Sequence, residues 1–495
     1  MDVLMKIIQL VLSLSILVLV HEFGHFIAAR IFKIRVEKFY MFFNPNFSIV
    51  RFKKVHGKWR FAWFCKNVPE KYIEHERIDP VTNKKDVSYE AIDLTNLPED
   101  DWRTDEEHTE FGIGWVPLGG YCKISGMIDE SMDMAQMNEP AQDWEFRSKP
   151  AWQRLIVMVG GVVMNVVLAY FIFTGLLISQ GSQYLPTSEV NKYGIYTDDL
   201  GKELGLKDGD KILSIDGEQI ENFDQIIMTI ILNKPEVIEV ERDGETVVLN
   251  LSEDVINKLI KAQSPFISYR TPFVINDFAP GSLAKKAGMQ KGDRIIYVED
   301  NMTPYYQDFT KIIKQYAGKD INIGVIRDND TLNIPIALAE DALLGVYVEP
   351  VLELKTQNYS FVEAIPEGFS QTGKEISDYW KQLKLIFNPS TKAYESLGGF
   401  ISIGSIFPDK FNWIQFWRLT AFLSIILAVM NILPIPALDG GHVLFLLIEM
   451  ITRRKPSDRF MEIAQSVGLI ILLILLIYAN GNDIIRLFRL FLCYY

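Results

Sequence analysis

Four stretches of this chain are too long and too apolar to sit comfortably in water: residues 7–31, 151–178, 417–433 running into 443–451, and 464–478 with its extension. A helix needs roughly 20 predominantly apolar residues to cross a bilayer. Inside hydrocarbon, only helices and closed barrels satisfy every backbone hydrogen-bonding group. The first two stretches meet the length, and the run Gly468–Tyr478 in the fourth carries no charge. Hydrophobic residues make up 48% of the 495 positions, which fits a chain that keeps much of its surface in lipid. The first stretch continues through His21, Glu22 and His25 to Ala28 and Ala29 without a small-x-small cleavage site, so it reads as a retained helix and not a signal peptide. The expected fold class is a polytopic α-helical membrane protein with about four transmembrane helices.

Charge and cysteine content remove several functions. A net charge of −13 excludes general nucleic-acid affinity. Three cysteines, Cys65, Cys122 and Cys493, show no paired spacing, which argues against a disulfide framework and a cysteine-rich metal site. Short basic loops set orientation. Arg30, Lys33, Arg35 and Lys38 follow the first span; Arg147, Lys149 and Arg154 accompany the start of the second; Arg453, Arg454, Lys455 and Arg459 follow the third. Placing these in the cytoplasm puts the N-terminus, residues 180–415 and the C-terminus outside, with Arg486 and Arg489 in mild disagreement.

The long stretch between the second and third spans contains a repeat. Gly205-Leu-Lys-Asp-Gly209-Asp210-Lys-Ile212 recurs as Gly288-Met-Gln-Lys-Gly292-Asp293-Arg-Ile295, an offset of 83 residues. Each copy reads as a short helix closed at a glycine, where a left-handed cap costs little, followed by a Gly-Asp turn and an alternating strand. The pattern resembles the PDZ domains of bacterial envelope proteases, more closely in the second copy, which has Ala284 and Ala287 in its helix, whereas the first has Gly201 where the pattern asks for alanine. PDZ domains add a peptide strand to a sheet edge and often capture a carboxyl terminus. The expected units are 186–255 and 270–350, followed by a linker with amphipathic helices over 351–415.

Ahead of the second span, residues 47–110 are hydrophilic, acidic towards their end, and carry no chemical motif. They give way to an apolar-aromatic stretch, 111–127, with Pro117 and the pair Gly119-Gly120, too broken for a helix and read as a β-hairpin. Open backbone is tolerated at membrane depth only where protein or a water-filled cavity covers it. A hairpin that dips into the membrane is therefore expected to line an active site.

The chemistry is concentrated in His21-Glu22-Phe23-Gly24-His25. Positions i and i+4 share a helix face, so both imidazoles can reach one metal ion, with Glu22 beside them to act as base on a metal-bound water. Two histidines and a glutamate in an apolar helix are costly, and ionisable groups at such depth mark function. Catalytic zinc takes three protein ligands and leaves one position open. The candidates for the third are Asp439 and His442, both in Asn431-Ile-Leu-Pro434-Ile-Pro436-Ala-Leu-Asp439-Gly440-Gly441-His442; ligand chemistry alone does not choose between them. Asp439 is the only acidic residue between Trp413 and Glu449, and it follows two helix-breaking prolines.

H-E-x-x-H in the first span together with N-x-x-P-x-P-x-x-D-G in the third resembles the site-2 protease family of intramembrane metalloproteases. The resemblance extends to tandem PDZ-like units between the second and third spans, to Pro117-Leu-Gly-Gly-Tyr121, and to Gly161-x-x-x-Asn165 in the second span. It implies a Zn2+ site on His21, His25 and Asp439, with Glu22 as the catalytic base. It also implies that Asn431, Pro434, Asn165 and the Pro117, Gly119 and Gly120 hairpin shape the side that receives an extended substrate. The expected activity is cleavage of single-pass membrane proteins, regulators of the anti-sigma type or signal-peptide remnants, in the inner membrane of a bacterium. The alternative is a membrane-anchored PDZ scaffold that has lost activity, against which the intact Glu22 speaks. The expected layout is 1–31 first span, 32–110 cytoplasmic-side segment, 111–127 membrane-associated β-hairpin, 151–180 second span, the two extracytoplasmic PDZ units and linker, 416–452 third span region, and 460–492 fourth span with a C-terminal extension. Residues 32–110 are longer than the compact version typical of the family.

Overall fold

The computed structural model describes residues 2–67, 72–78, 85–91, 97–127, 140–262 and 265–493. The chain forms two compact units: Met1–Gln180 with Tyr359–Trp380 and Leu397–Tyr495, and Gly181–Asn358 with Lys381–Ser396.

Among the described residues of the first unit, four helices are long and apolar enough to cross a membrane: Val3–Ile31, Ala151–Gln180, Trp413–Ile432 and Arg459–Arg489. The helix α1 (Asp2–Ile31) and the helix α2 (Ala151–Gln180) meet where glycines leave no side chain between them. A Cβ on Gly24 would lie 2.2 Å from the Gly160 carbonyl oxygen, and one on Gly160 would lie 2.7 Å from that of Gly24. Lipid supplies no hydrophobic drive between helices, so such close backbone contact and polar cross-links hold them together. Ser13 bonds Thr420 at 3.0 Å, and Ser424 donates to the Asn165 carbonyl at 2.8 Å.

The third span starts at a side-chain cap, where Asn412 accepts from the backbone of Ile414 and Gln415. It stops at Ile432, and a new helix begins at Asp439. Pro434 and Pro436 cannot continue the hydrogen-bond ladder, and Ala437 takes a left-handed φ of 75°. The apolar run of the third region is thus two helices joined by a bend. Glycines pack the bend closely: a Cβ on Gly440 would meet the Leu433 carbonyl oxygen at 2.1 Å, and one on Gly468 of the fourth span would meet that of Pro436 at 1.8 Å.

Between the first and second spans lies a sheet. Its strands β1 (Val36–Phe43), β2 (Phe47–Val55), β3 (Lys58–Lys66), β6 (Glu110–Ile113) and β7 (Val116–Ile124) run in the order β3-β2-β6-β1-β7; β4 (Tyr72–Ile78) and β5 (Lys85–Ala91) form a separate hairpin. This corrects the hairpin expected over 111–127. Its two strands do not pair with each other; β6 lies parallel to one side of β1, and β7 antiparallel to the other. The turn between them crosses over the end of β1, with Gly114 N–H donating to the Met41 carbonyl and Trp115 N–H to that of Phe43. Gly114 permits the crossing, because a Cβ there would lie 2.2 Å from the Phe43 oxygen. The same topology takes β1 to β3, part of the segment 32–110 expected on the cytoplasmic side, into the sheet beside α1.

In the second unit the repeat has a structural equivalent for each of its polar contacts. Asp210 accepts from the backbone of Lys207 and from Arg242, which also donates to the Gly205 carbonyl. Asp293 does the same with Gln290, Arg327 and the Gly288 carbonyl. Both aspartates are buried. Gly209 N–H reaches the Ile195 carbonyl and Gly292 N–H that of Ile275, each at 2.8 Å. Each copy has its own apolar core, around Ile226, Ile230 and Ile238 in the first and Phe273, Ile295 and Val325 in the second.

Candidate metal centre

His21 and His25 lie one turn apart on α1 and are buried. His25 Nδ1 is 2.8 Å from the Val157 carbonyl oxygen of α2. An oxygen can only accept, so Nδ1 carries the proton and Nε2 presents its lone pair. His21 is held between two amides, with Asn165 Nδ2 3.1 Å from Nδ1 and Asn431 Nδ2 3.2 Å from Nε2. A neutral imidazole has one acceptor and cannot take both. Asn165 Oδ1 is buried with no hydrogen-bond partner, and turning that amide over places the oxygen on Nδ1–H; amide orientation follows from such networks. His21 then also points an Nε2 lone pair inward.

The third donor is Asp439, the first residue of the helix after the bend. Its Oδ2 is 3.1 Å from His21 Nε2 and 3.3 Å from His25 Nε2, and the two nitrogens are 3.3 Å apart. Oδ2 is sealed from solvent with no hydrogen-bond donor among the described residues. Two imidazole nitrogens and a carboxylate oxygen therefore converge on one point, an arrangement that needs a cation between them, a shared proton or a metal ion. The spacing fits zinc: a tetrahedron with zinc-to-ligand bonds of about 2.0–2.1 Å has edges of about 3.3–3.4 Å. His21, His25 and Asp439 form the group of possible metal donors among the described residues, and His442 is not in it.

Gly161 makes room for this set, since a Cβ there would lie 2.5 Å from His25 Nε2 and 2.6 Å from His21 Cε1. Glu22 is half-buried on α1 between the two histidines in sequence. Asn165 and Asn431 come together on His21, whereas Pro434 is exposed in the bend. Pro117, Gly119 and Gly120 lie on β7, the edge strand beside α1; a Cβ on Gly120 would lie 3.2 Å from Val18, one turn before His21. Two supports escaped sequence reasoning. The Val157 carbonyl has no side-chain signature. Arg154 and Glu449 form an ion pair joining α2 to the helix of Asp439; the only signal was one charge of each sign in apolar surroundings.

Apolar helices enclosing a buried His-His-Asp donor set define a membrane-embedded metallopeptidase class. The model of peptidase family M50 matches residues 9–65 and 98–475. The chain belongs to that family and is a zinc metalloprotease of the site-2 type. Among curated proteins it is similar to the regulator of sigma E protease of Haemophilus influenzae, at 26% identity over 98% of this chain and all of that protein. It is similar also to a putative zinc metalloprotease of Xylella fastidiosa, at 28% over 77% of this chain and 88% of the relative. The regulator of sigma-E protease RseP of Escherichia coli is 25% identical over 96% of this chain and 98% of its own length. Residues 66–97, which hold β4 and β5, lie outside the family match.

Proposed function

We propose that this chain is an intramembrane endopeptidase of the bacterial inner membrane that cuts single-pass membrane proteins, in the regulated manner that the names of its sigma-E relatives suggest. Its substrates are regulators of the anti-sigma type, or signal-peptide remnants. The observation that carries the proposal is the triangle of lone-pair atoms on His21, His25 and Asp439 inside apolar helices. These three residues hold the metal. Zinc bound there supplies Lewis acidity and lowers the pKa of a coordinated water.

Glu22 takes the proton of the attacking water and delivers it to the leaving amine nitrogen, as general acid–base catalysis requires. Asn431 borders the open side of the donor set and orients the scissile carbonyl, with Pro434 shaping the rim. A substrate helix hides its carbonyls in its own hydrogen bonds and must unwind to be cut. β7 is an edge strand of the sheet, and the groups on its open side offset that loss by pairing with the unwound substrate. Pro117, Gly119 and Gly120 keep this edge slim beside α1.

The two repeat units, 186–255 and 270–350, act outside the cytoplasm as PDZ-type modules that bind a peptide end or exclude substrates with bulky ectodomains. Zinc content and turnover of a labelled single-span substrate, measured in bilayers for the wild type and Glu22→Gln, test the proposal. Equal zinc in both is expected, with cleavage slowed about 10²–10⁴-fold in the variant. Undiminished cleavage by Glu22→Gln, or a wild-type protein that binds no zinc, ends it; zinc-replete protein with no cleavage in either form supports the inactive scaffold instead.

A further inference from the structure

The sheet between the first two spans has one polar and one apolar face. Cross-strand neighbours point to the same side of a sheet, and the registers sort the residues. Phe39 opposes Phe111, Phe111 opposes Phe52, Phe52 opposes Phe61, Val50 opposes Trp63, and Lys54 opposes Trp59. All lie on one face, and apart from Lys54 all are apolar or aromatic. Arg51, Lys53, Tyr40 and Glu110 lie on the other, which is covered: Arg51 sits over the Trp102 ring, Lys53 donates to the Trp102 carbonyl, and Tyr40 donates to Glu110.

The apolar face begins on α1. The Phe26 ring is 5.5 Å from Phe39 and 5.8 Å from Phe111 between centroids; Phe111 is 5.5 Å from Phe52, and Phe52 is 5.7 Å from Phe61 and 6.1 Å from Trp59. This ladder of rings runs from the membrane helix to the outer strand, and there it is uncovered: Trp59 is 57% exposed, Phe61 62% and Trp63 68%. Such a row on an edge strand in water would invite aggregation. Phe26 lies five residues before the end of α1 at Ile31, about 7.5 Å along the helix axis. That matches the depth of about 5–10 Å at which interfacial elements bury their apolar face. The charge agrees. Residues 47–66 hold six Lys or Arg and no Asp or Glu, in a chain of net charge −13; Lys54 shares the aromatic face opposite Trp59, whereas Arg51, Lys53 and Arg60, which pairs with Asp100, lie on the covered face. Lys58 and Lys66, opposite Val55 and Phe47, start from the other face but stand exposed at the two ends of the aromatic strand, on the open edge.

We infer that the open edge of this sheet is a docking surface for an anionic lipid leaflet. Trp59, Phe61 and Trp63 enter the boundary between headgroups and acyl chains, and Lys54, Lys58 and Lys66 meet the lipid phosphates; tryptophan at this depth and lysine against anionic headgroups are each favourable. The sheet is thereby anchored at two ends, by α1 through Phe26 and by lipid through β3. This inference rests on the membrane placement of α1 and is independent of catalysis. The test is electron paramagnetic resonance on full-length protein carrying a spin label at Trp63→Cys, with Cys65, Cys122 and Cys493 changed to Ser. A label at Glu107→Cys, an exposed residue in the segment before β6, is the control. In bilayers of phosphatidylglycerol and phosphatidylcholine, the Trp63 label is expected to be more accessible to oxygen than to a water-soluble nickel chelate, and the Glu107 label the reverse. The Trp63 label moves towards water in pure phosphatidylcholine, and Lys54→Gln/Lys58→Gln/Lys66→Gln abolishes that difference between lipids. A Trp63 label that prefers the nickel chelate in bilayers overturns the inference. So does a depth indifferent to lipid charge, or spin–spin broadening that disappears on dilution with unlabelled protein, which would assign the face to a second copy of the chain.

Discussion

Arg154 of α2 and Glu449, on the helix that begins with Asp439, are bound to each other as an ion pair between helices, both largely withdrawn from solvent. Arg154 also donates to the Lys149 carbonyl. One side of the pair belongs to the helix that supports the histidines, and the other to the helix that brings the carboxylate. Removing one partner of a shielded pair leaves an uncompensated charge and costs about 3–5 kcal/mol. Glu449→Gln and Arg154→Met should therefore each lower the unfolding midpoint in detergent sharply and weaken zinc binding. Arg154→Met with Glu449→Met should recover much of the lost stability. A double variant no better than the single ones would show that the pair is not the link.

The glycines of α2 separate packing from coordination. Gly161→Ala would place a methyl group 2.5 Å from His25 Nε2, whereas a Cβ on Gly175 would meet nothing within 4 Å. We expect Gly161→Ala to lose most of its zinc and nearly all activity while keeping its helix content. Gly175→Ala should match the wild type or be slightly more stable, because alanine is the better helix former. Metal analysis of the purified variants, alongside circular dichroism, decides between them.

On the proposed metal site, Asn165 would act at one remove from the ion, through its contact with His21. Partners that orient a ligating imidazole typically contribute 10–100-fold in metal affinity or activity. Asn165→Ala is expected to weaken zinc affinity by about that factor in competition with a chelator. Asn165→Asp, which keeps an acceptor facing Nδ1–H, should retain more affinity than the alanine variant.

The two repeat units should respond alike. Asp293→Ala strands Arg327, and Asp210→Ala strands Arg242, each removing a two-pronged pair to a buried carboxylate. Each change should destabilise its own copy by about 3–5 kcal/mol, seen as faster limited proteolysis of that copy.

Strong acid should loosen the loop that covers the polar face of the sheet. Burial alone would raise the pKa of Asp105, but the His108 ring and the backbone N–H groups of His56 and His108 hold it down at about 2. A carboxylate lowered in the folded state stabilises it above the unfolded pKa, about 3.9, and that contribution is lost as pH falls towards 2. Asp105→Asn should reduce stability at neutral pH and flatten its loss between about pH 4 and 2. A parallel decline in both proteins would refute this.

The local parts of the site were legible in the sequence. The spacing of His21 and His25 fixes a shared helix face, whereas the residues alone leave Asp439 and His442 open as the third donor, and it is the family resemblance that implies Asp439. The apolar run from Ala151 marks a helix in the sequence, and the helix there is Ala151–Gln180. The order of the sheet was not legible, because the insertion of β1 between β6 and β7 is a long-range choice that no local pattern encodes. Apolar alternation over 111–127 is equally compatible with a hairpin; the decisive feature is Gly114 fitting over Phe43, which only coordinates reveal. Arg154 read as a marker of membrane orientation because its partner lies 295 residues away.

The donor set has a consequence for how the protein is made. Both imidazoles are in place once the first helix has been inserted, but the carboxylate belongs to residue 439 and is oriented by a bend packed against Gly468 of the last span. A nascent chain can therefore carry its histidines into the membrane long before it can hold an ion firmly. Nearly the whole polypeptide must leave the ribosome before the three donors can meet.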